Sequence, residues 1–499
     1  MATTVLDEDL VRIWGNVRDP QTGKPKSRVL RLCFWGDELD LVEPAEATDE
    51  NQKEVRVRVH SYRFRKKEIG VIRKRKERGG KFAPLRLRTG HLLEVTFIDV
   101  QQGDATVIRT PDRKLIVVDG GEQKFIARLL ASMFPDTTPR TPLEIDSLVI
   151  THGDADHFTG LHEVAKAADH TDHRELHARI LSYYHNGLVK AAPKDPVSGK
   201  SVSEKAAFGK FKQVGKETYA IELWDDPCAA PSKNRPFTDW CAALDRMRVP
   251  GKTVVRRLQY GDDDAFAAFR PAVDVQVLGP VVETVDGRPA LPFLASSASH
   301  TINGHSVVLR LGYGNVHFLL GGDLNTHAEE RLRHHIDADP NRTLRSEILK
   351  VPHHGSHEFE QAFLDQIHPV VSVVSSGDEN AAKEYVHPRA NLMAALGRAS
   401  RGPMPLVYCT ELAAFFAYRD FIEPEQHREV DGVLKPLPPT QRRRGFHAFE
   451  RLVWGAVRVR TDGERVLTAV ESASATVKEA YAFRVDTGGN VTGDDFQLL

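Results

Sequence analysis

Thr151-His152-Gly153-Asp154-Ala155-Asp156-His157 follows directly on the apolar run Ile145 to Ile150. Four possible metal ligands, His152, Asp154, Asp156 and His157, lie within six residues of this stretch. An apolar strand that ends in a tight loop lets alternate side chains converge on one point. Imidazole and carboxylate together suit Zn, Mn or Fe. A carboxylate also helps to neutralise two divalent cations held roughly 3.5–4 Å apart. The competing reading of the stretch is a polar loop with helix-capping aspartates. Two further clusters argue against that. Asp323 follows Phe318-Leu319-Leu320-Gly321-Gly322, and His353-His354 follow Leu349-Lys350-Val351-Pro352. A lone Asp after a strand is usually a turn residue, and a lone His pair usually a surface feature. Three clusters, each at the end of an apolar strand, point to one site, because strand ends on one edge of an open α/β sheet form the natural crevice.

Around these clusters the pattern mixes strands and helices. Leu93 to Val100, Ala105 to Arg109 and Leu115 to Val118 read as strands, and Gln123 to Met133 and Leu161 to Ala168 as helices. Strands resume at Val275 to Leu278, Ser306 to Leu311, Val316 to Leu320, Ile348 to Val351 and Val370 to Ser375, with a helix over Ala328 to His335. Ala456 to Thr461 and Ala480 to Val485 read as closing strands. This order predicts a layered α/β fold. The segment near 190–237, rich in Lys, Pro, Gly and Ser, reads as an insertion, either a lid or a substrate-facing loop. A second polar, Pro-rich excursion runs near 423–444.

The first ninety residues have a different character. Val55, Val57 and Val59 alternate with Arg56, Arg58 and His60, the period of a half-buried strand. The predicted organisation is a β-rich module over 1–90, an α/β domain over 91–471 carrying both insertions, and a C-terminal strand segment over 472–499. The module ends in a basic stretch: Arg63, Arg65, Lys66, Lys67, Arg73, Lys74, Arg75, Lys76, Arg78, Lys81, Arg86 and Arg88. These side chains could meet nucleic-acid phosphates. A solvated hairpin face accounts for them as well.

Composition narrows the function classes. At 499 residues, the chain is too long for one ordinary core. Hydrophobic residues make up 41% and charged residues 27%, the balance of a soluble globular protein. The formal net charge of -1 leaves electrostatic recognition to local patches. Cys33, Cys228, Cys241 and Cys409 are scattered without a CxxC pair, which argues against a disulfide scaffold and fits a reducing compartment. Asp7, Glu8 and Asp9 near the start do not suit a secretory signal. No run approaches the roughly 18–20 apolar residues of a membrane span. A cytoplasmic location is expected, with no membrane partner.

Phe97-Ile98-Asp99-Val100-Gln101-Gln102-Gly103-Asp104-Ala105 resembles the opening strand of the metallo-β-lactamase domain of ComEC-type DNA-uptake proteins. Val118-Asp119-Gly120-Gly121, the Thr-His-x-Asp-x-Asp-His run, Leu320-Gly321-Gly322-Asp323, Leu349 to Ser356 and His387-Pro388 follow in that family's order. The resemblance covers roughly 92–410. It implies the αββα metallo-β-lactamase sandwich, with the N-terminal β module and the insertions lying outside it.

The resemblance also implies roles. His152 and Asp154 would bind a first metal, Asp156 and His157 a second, and Asp323 would bridge them. One of His353 and His354 would complete the second site, with His353 favoured. Aspartate at 154 departs from the histidine usual in the broader superfamily and matches the ComEC-like branch. An acidic site shifts preference from Zn towards harder ions such as Mn. His185 is the best third ligand for the first metal, and an ordinary histidine at a strand end is the competing reading. Two ions lower the pKa of a bridging water to give hydroxide near neutral pH. Asp156 would orient that nucleophile, and His387 would touch substrate or protonate a leaving group. Asp104 would hold a metal-binding histidine or serve as a structural hydrogen-bond partner. The implied function is a metal-dependent phosphodiesterase or nuclease acting on DNA, such as the effector of a bacterial defence or DNA-processing system. The alternatives are a hydrolase of a small phosphoester or other small molecule, and a non-catalytic scaffold that binds a partner. The intact ligand set counts against the last.

Overall fold

The computed structural model describes residues 3–18, 24–60, 67–101, 103–170, 176–194, 199–377, 387–413, 421–422, 427–430, 433–436, 446–447, 452–471, 480–491 and 497–498. Two sheets face each other across the main core. One has ten strands in the order Val254–Arg257, Ser182–His185, Ser147–Val149, Leu115–Val118, Thr106–Arg109, Leu93–Phe97, Ala456–Thr461, Arg465–Glu471, Ala480–Arg484 and Gln497–Leu498. The other has six: Asp274–Gly279, Val308–Tyr313, Val316–Leu320, Ile348–Lys350, Val371–Val374 and Leu406–Cys409.

Strand alternation explains the layering. In Leu115–Val118 every residue is apolar; Ile116 and Val118 enter the core between the sheets, while Leu115 and Val117 enter the one under the helices. In Val316–Leu320, Phe318 and Leu320 face the partner sheet and Leu319 the helices on its own side. Strands covered on both faces need such continuous apolar runs. Helices Phe125–Met133, Ala155–Ala165 and Arg235–Met247 cover the first sheet, and Thr326–Asp337, Gln361–Ile367 and Ala390–Ala399 the second. The result is the αββα sandwich expected from the sequence. No described helix is long and apolar enough to cross a membrane.

The first ninety residues form a separate seven-stranded sheet with its own core of Leu6, Ile13, Leu39, Val55, Val57 and Ile72. Its Phe34 and Trp35 pack on Leu467, Ala469 and Ala480 of the long sheet. Beneath that junction the buried Arg460 donates to Glu94 (2.6 Å), Asp37 (2.7 Å) and the Trp35 carbonyl (2.9 Å). The segment after 471 contributes two strands to the edge of the long sheet, Ala480–Arg484 and Gln497–Leu498.

Two sequence expectations change. The stretch read as an irregular insertion holds a hairpin, Phe211–Val214 with Glu217–Ala220, that pairs onto Arg288–Pro292. It ends in the first turn of helix Arg235–Met247, whose Asn234 cap accepts the Phe237 N–H at 3.0 Å. Pro236 hides this helix from a periodicity reading, although proline is compatible with a first turn. Within the same region Cys228 and Cys241, expected to be unpaired, form a disulfide with Cα atoms 5.4 Å apart. Folding brings a short turn against a helix face that their 13-residue separation does not reveal. The 423–444 excursion falls mostly outside the described residues, as do Arg63, Arg65 and Lys66.

Candidate metal centre

Every cluster named from the sequence lies at the C-terminal end of a strand or in the loop that follows it, where parallel neighbours open on the same side. Strand Ser147–Val149 pairs in parallel with Leu115–Val118, and Ile348–Lys350 with Val316–Leu320. Asp119, His152, Asp323 and His354 stand just beyond these four strands. The loops can approach because glycine removes the obstacle. A Cβ on Gly103 would lie 1.8 Å from the Asp156 carbonyl oxygen, and one on Gly322 2.6 Å from Ser306. Both glycines have positive φ, at +97° and +54°.

The centre is organised on Asp323. Its Oδ2 lies 3.2 Å from His157 Nε2 and 3.1 Å from His354 Nε2. Ligand atoms of His152, His157 and Asp323 all fall within 4.8 Å of one another, as do those of Asp156, His157 and His354, and of Asp104, Asp323 and His354. Of the adjacent histidines it is His354, rather than the favoured His353, that reaches Asp156 and Asp323. His353 turns its Nε2 towards the Asn303 side chain at 3.4 Å. His387 borders the site, its ring 6.2 Å from that of His353.

A supporting layer fixes the imidazoles. Asp119 accepts from Thr151 N and Oγ1, both at 2.7 Å, and its Oδ2 lies 3.0 Å from His157 Nδ1. Asp119 has φ +59°, a conformation that aspartate tolerates better than most residues. Asp104 Oδ1 lies 3.2 Å from His354 Nδ1, and its other oxygen pairs with the buried ammonium of Lys350. Asp104 therefore does both things suggested for it: it orients a histidine and closes a structural ion pair. Sequence reasoning assigned no role to Asp119 or Lys350. The available signals were an Asp before Gly120-Gly121 at a strand end and a lone lysine inside an apolar strand.

Charge in the site follows from burial and pairing. Burial opposes protonation of His354, but the carboxylates of Asp323 and Asp104 outweigh it and raise its pKa to about 10. His157 is likewise raised well above the imidazole range, burial being outweighed by Asp323 and Asp119. Burial drives His152 well below that range, helped by the nearby His157 charge. His387 is lowered to about 4 by burial and then by His354 and His353, so its ring is neutral at neutral pH.

Divalent metal fits these residues. His152 Nε2 and Asp323 Oδ1 are fully buried without a hydrogen-bond partner, a costly state unless something else coordinates them. The donors are imidazole nitrogens and carboxylate oxygens, the set that Zn and Mn accept.

Besides His353, two predicted ligands fall outside the clusters. His185 is tied at both nitrogens: Nε2 lies 2.9 Å from the Asp225 carbonyl oxygen, and Nδ1 accepts from Gly187 N at 3.0 Å. It is a buried structural histidine with no nitrogen open to a metal, which corrects its candidacy as third ligand. Asp154 stands at the N-cap position of helix Ala155–Ala165 without a side-chain capping bond, and its carboxylate pairs with the Lys190 ammonium.

This geometry belongs to the metallo-β-lactamase fold, and residues 98–226 match the Metallo-beta-lactamase superfamily. The chain therefore carries a segment that matches this superfamily over about a quarter of its length. More particularly, it is 31% identical over 99 residues to ComE operon protein 3 of Bacillus subtilis (strain 168), covering 20% of this chain and 12% of that protein. It is 39% identical over 87 residues to Competence protein ComA of Neisseria gonorrhoeae, covering 17% of this chain and 12% of that one. The chain thus matches about an eighth of the length of these curated relatives. Among solved structures, the metallo-beta-lactamase fold protein YhfI from Bacillus subtilis is 8% identical with TM-score 0.30, covering 64% of this chain and 96% of that one. A diphosphatase from the PhnP family is 11% identical with TM-score 0.29, covering 64% and 94%.

Proposed function

We propose that this chain is a divalent-metal-dependent phosphodiesterase with DNA as its substrate. The observation that carries the hydrolytic reading is the convergence of His152, His157, His354, Asp156 and Asp323 on one buried point that no hydrogen-bond network closes. The choice of DNA rests on the resemblance to ComEC-type proteins. Divalent ions in such a centre lower the pKa of water and draw charge from phosphoryl oxygens.

The protein's own part is to hold and aim. Asp323, His157 and His354 would hold the metal as fixed ligands. Asp119 and Asp104 lock the two imidazoles by their Nδ1 atoms, and Lys350 holds Asp104 in place. Asp156 is the most exposed member of the cluster, its side chain 18% accessible, and is placed to orient attacking water. His387 Nδ1 is buried and unpartnered at the border of the site. As a neutral ring it suits contact with substrate better than delivery of a proton.

A second reading, a small phosphoester as substrate, is favoured by the fate of the basic stretch. Lys74 is buried and donates to the Asp49 carbonyl at 2.6 Å. Arg73 meets Glu54 and lies over Trp14, Lys81 meets Glu50, and Arg86 meets Glu8. Arg75, Lys76 and Arg78 remain exposed on the hairpin.

The test is hydrolysis of bis-nitrophenyl phosphate, single- and double-stranded DNA and RNA with Mn or Zn, using Asp156→Ala as control. The DNA reading expects cleavage of DNA by the wild type alone. Changing Arg75, Lys76 and Arg78 to Ser should then flatten the log-log salt dependence of DNA binding by about 0.9 for each duplex phosphate no longer neutralised. Turnover of the nitrophenyl ester with inert DNA would establish the small-substrate reading. No hydrolysis with either metal would sink both.

A further inference from the structure

The two halves of the His152-to-His157 run behave differently. Asp156 and His157 join the cluster around Asp323, whereas Asp154 belongs to none of the convergent ligand groups among the described residues. Its two oxygens are occupied. Oδ1 pairs with the Lys190 ammonium, and Oδ2 lies 3.1 Å from the Asn303 side-chain nitrogen when that amide is oriented to satisfy its neighbours.

Lys190 is held where it stands. Leu188 and Val189 before it are buried, its carbonyl accepts the Asn234 N–H at 2.9 Å, and the next residue, Ala191, donates to the Ala207 carbonyl at 2.8 Å. Asn234 is also the cap of the helix whose Phe237 packs against Gly153. The segment read from sequence as an insertion thus anchors a cation onto the metal-binding loop. With Asp154 taken and His185 tied at both nitrogens, a first metal would find, among the described residues, His152 as the one ligand of its own, while His157 and Asp323 would be shared with the other ion. A catalytic ion is ordinarily held by three protein ligands.

Resting on the metal-dependent reading above, we infer that the chain holds one divalent ion, bound among His152, Asp156, His157, Asp323 and His354. The Lys190 ammonium takes the charge position that a second ion would fill beside Asp154. A second divalent ion would have to displace a fixed ammonium from its carboxylate and then sit beside it, and like charges at that range repel strongly. Lys190 in turn offers a fixed positive charge to an anionic substrate without requiring a second metal.

The experiment counts ions in the full-length protein. Purified protein is dialysed against Mn(II), metal per chain is measured by elemental analysis, and the bound ions are examined by electron paramagnetic resonance. The expected wild-type result is one Mn(II) per chain with the hyperfine pattern of an isolated ion. Lys190→Ala should bind two, with the spectrum of an exchange-coupled pair, because Asp154 is released. Lys190→Arg should remain at one. Lys190 is partly exposed, so neither change threatens the core. Two coupled ions in the wild type would overturn the inference, as would a Lys190→Ala protein that still binds one. If the wild type retains no ion and Asp323→Ala behaves identically, the metal-dependent reading falls first and this one with it.

Discussion

Two buried charge clusters lie at opposite ends of strand Leu93–Phe97, and only one of them is closed. Near the strand's start, Arg460 sits opposite Glu94 in register, and each of its guanidinium nitrogens donates to Glu94, Asp37 or the Trp35 carbonyl. Beyond its end, the carboxylates of Asp104, Asp119, Asp154, Asp156 and Asp323 meet, among the described residues, two ammonium groups, Lys350 and Lys190. There His152 Nε2 and Asp323 Oδ1 have no hydrogen-bond partner among the described residues. Both clusters bear the cost of removing charge from water. The first offsets it internally and joins the N-terminal module to the sandwich. The second leaves coordination to be supplied from outside, and that difference distinguishes a structural ion network from a site.

The comparison can be broken most forcefully at its closed end. Arg460→Met removes the nearest cation from the buried Glu94 and Asp37, leaving Arg458, Arg109 and Arg31 at 3.8 Å, and should cost about 3 kcal/mol of folding stability. Chemical denaturation would show it as a lower midpoint. An unchanged midpoint would mean that the network contributes nothing to the junction. At the open end, Asp323→Asn should lower kcat/KM by about 10³-fold, roughly 4 kcal/mol, with bound metal lost and circular dichroism unchanged. A variant that keeps both metal and activity would remove Asp323 from the centre.

The supporting layer predicts smaller effects. Asp104→Asn or Asp119→Asn should weaken metal affinity by about 10- to 100-fold, measured by competition with a chromophoric chelator. Equal affinity in the variants would show that Asp104 and Asp119 do not tune the histidines. The smallest effect concerns acid. Burial raises the Glu94 pKa, but Arg458, Arg460 and Arg109 outweigh it and bring the carboxyl from 4.5 to about 2. A depressed carboxylate pKa stabilises the fold above the unfolded value. That contribution is therefore complete above about pH 4.5 and is lost as pH falls towards 2. Thermal midpoints should decline across this window in the wild type and more shallowly in Arg460→Met. Parallel profiles would assign the acid sensitivity to other groups.

The open end was more legible in the sequence than the closed end. His152, Asp156, His157, Asp323 and the His353-His354 pair each follow an apolar run, and the strand period that buries such a run also presents the next residues at its mouth. The sandwich was legible for the same reason. Pairings set by distant chain segments were not. Lys190 lies in a stretch whose Lys, Pro and Gly content conceals a hairpin and a helix. Arg460 looks like any arginine on an alternating strand, since nothing local shows that Glu94 and Asp37 will face it. His185 misled because a histidine at a strand end has the same local signature whether its nitrogens meet a metal or, as here, the Asp225 carbonyl and Gly187 N–H.

The pairing of Phe97 with Val457 has a consequence for how the chain is made. The two residues are 457 − 97 = 360 positions apart. At roughly 5–20 residues per second, a ribosome needs roughly 18–72 s to deliver the second after the first. For that time strand Leu93–Phe97 can pair with Thr106–Arg109 on one side and presents an unpaired apolar edge on the other, a template for wrong partners. The N-terminal sheet pairs only within residues 3–88 and can form early. It must then wait, with Asp37 facing Arg31 at 3.8 Å inside the module, until Arg460 arrives to complete the network. A nascent chain stalled before residue 456 should accordingly be held by chaperones, and one stalled well after 471 released.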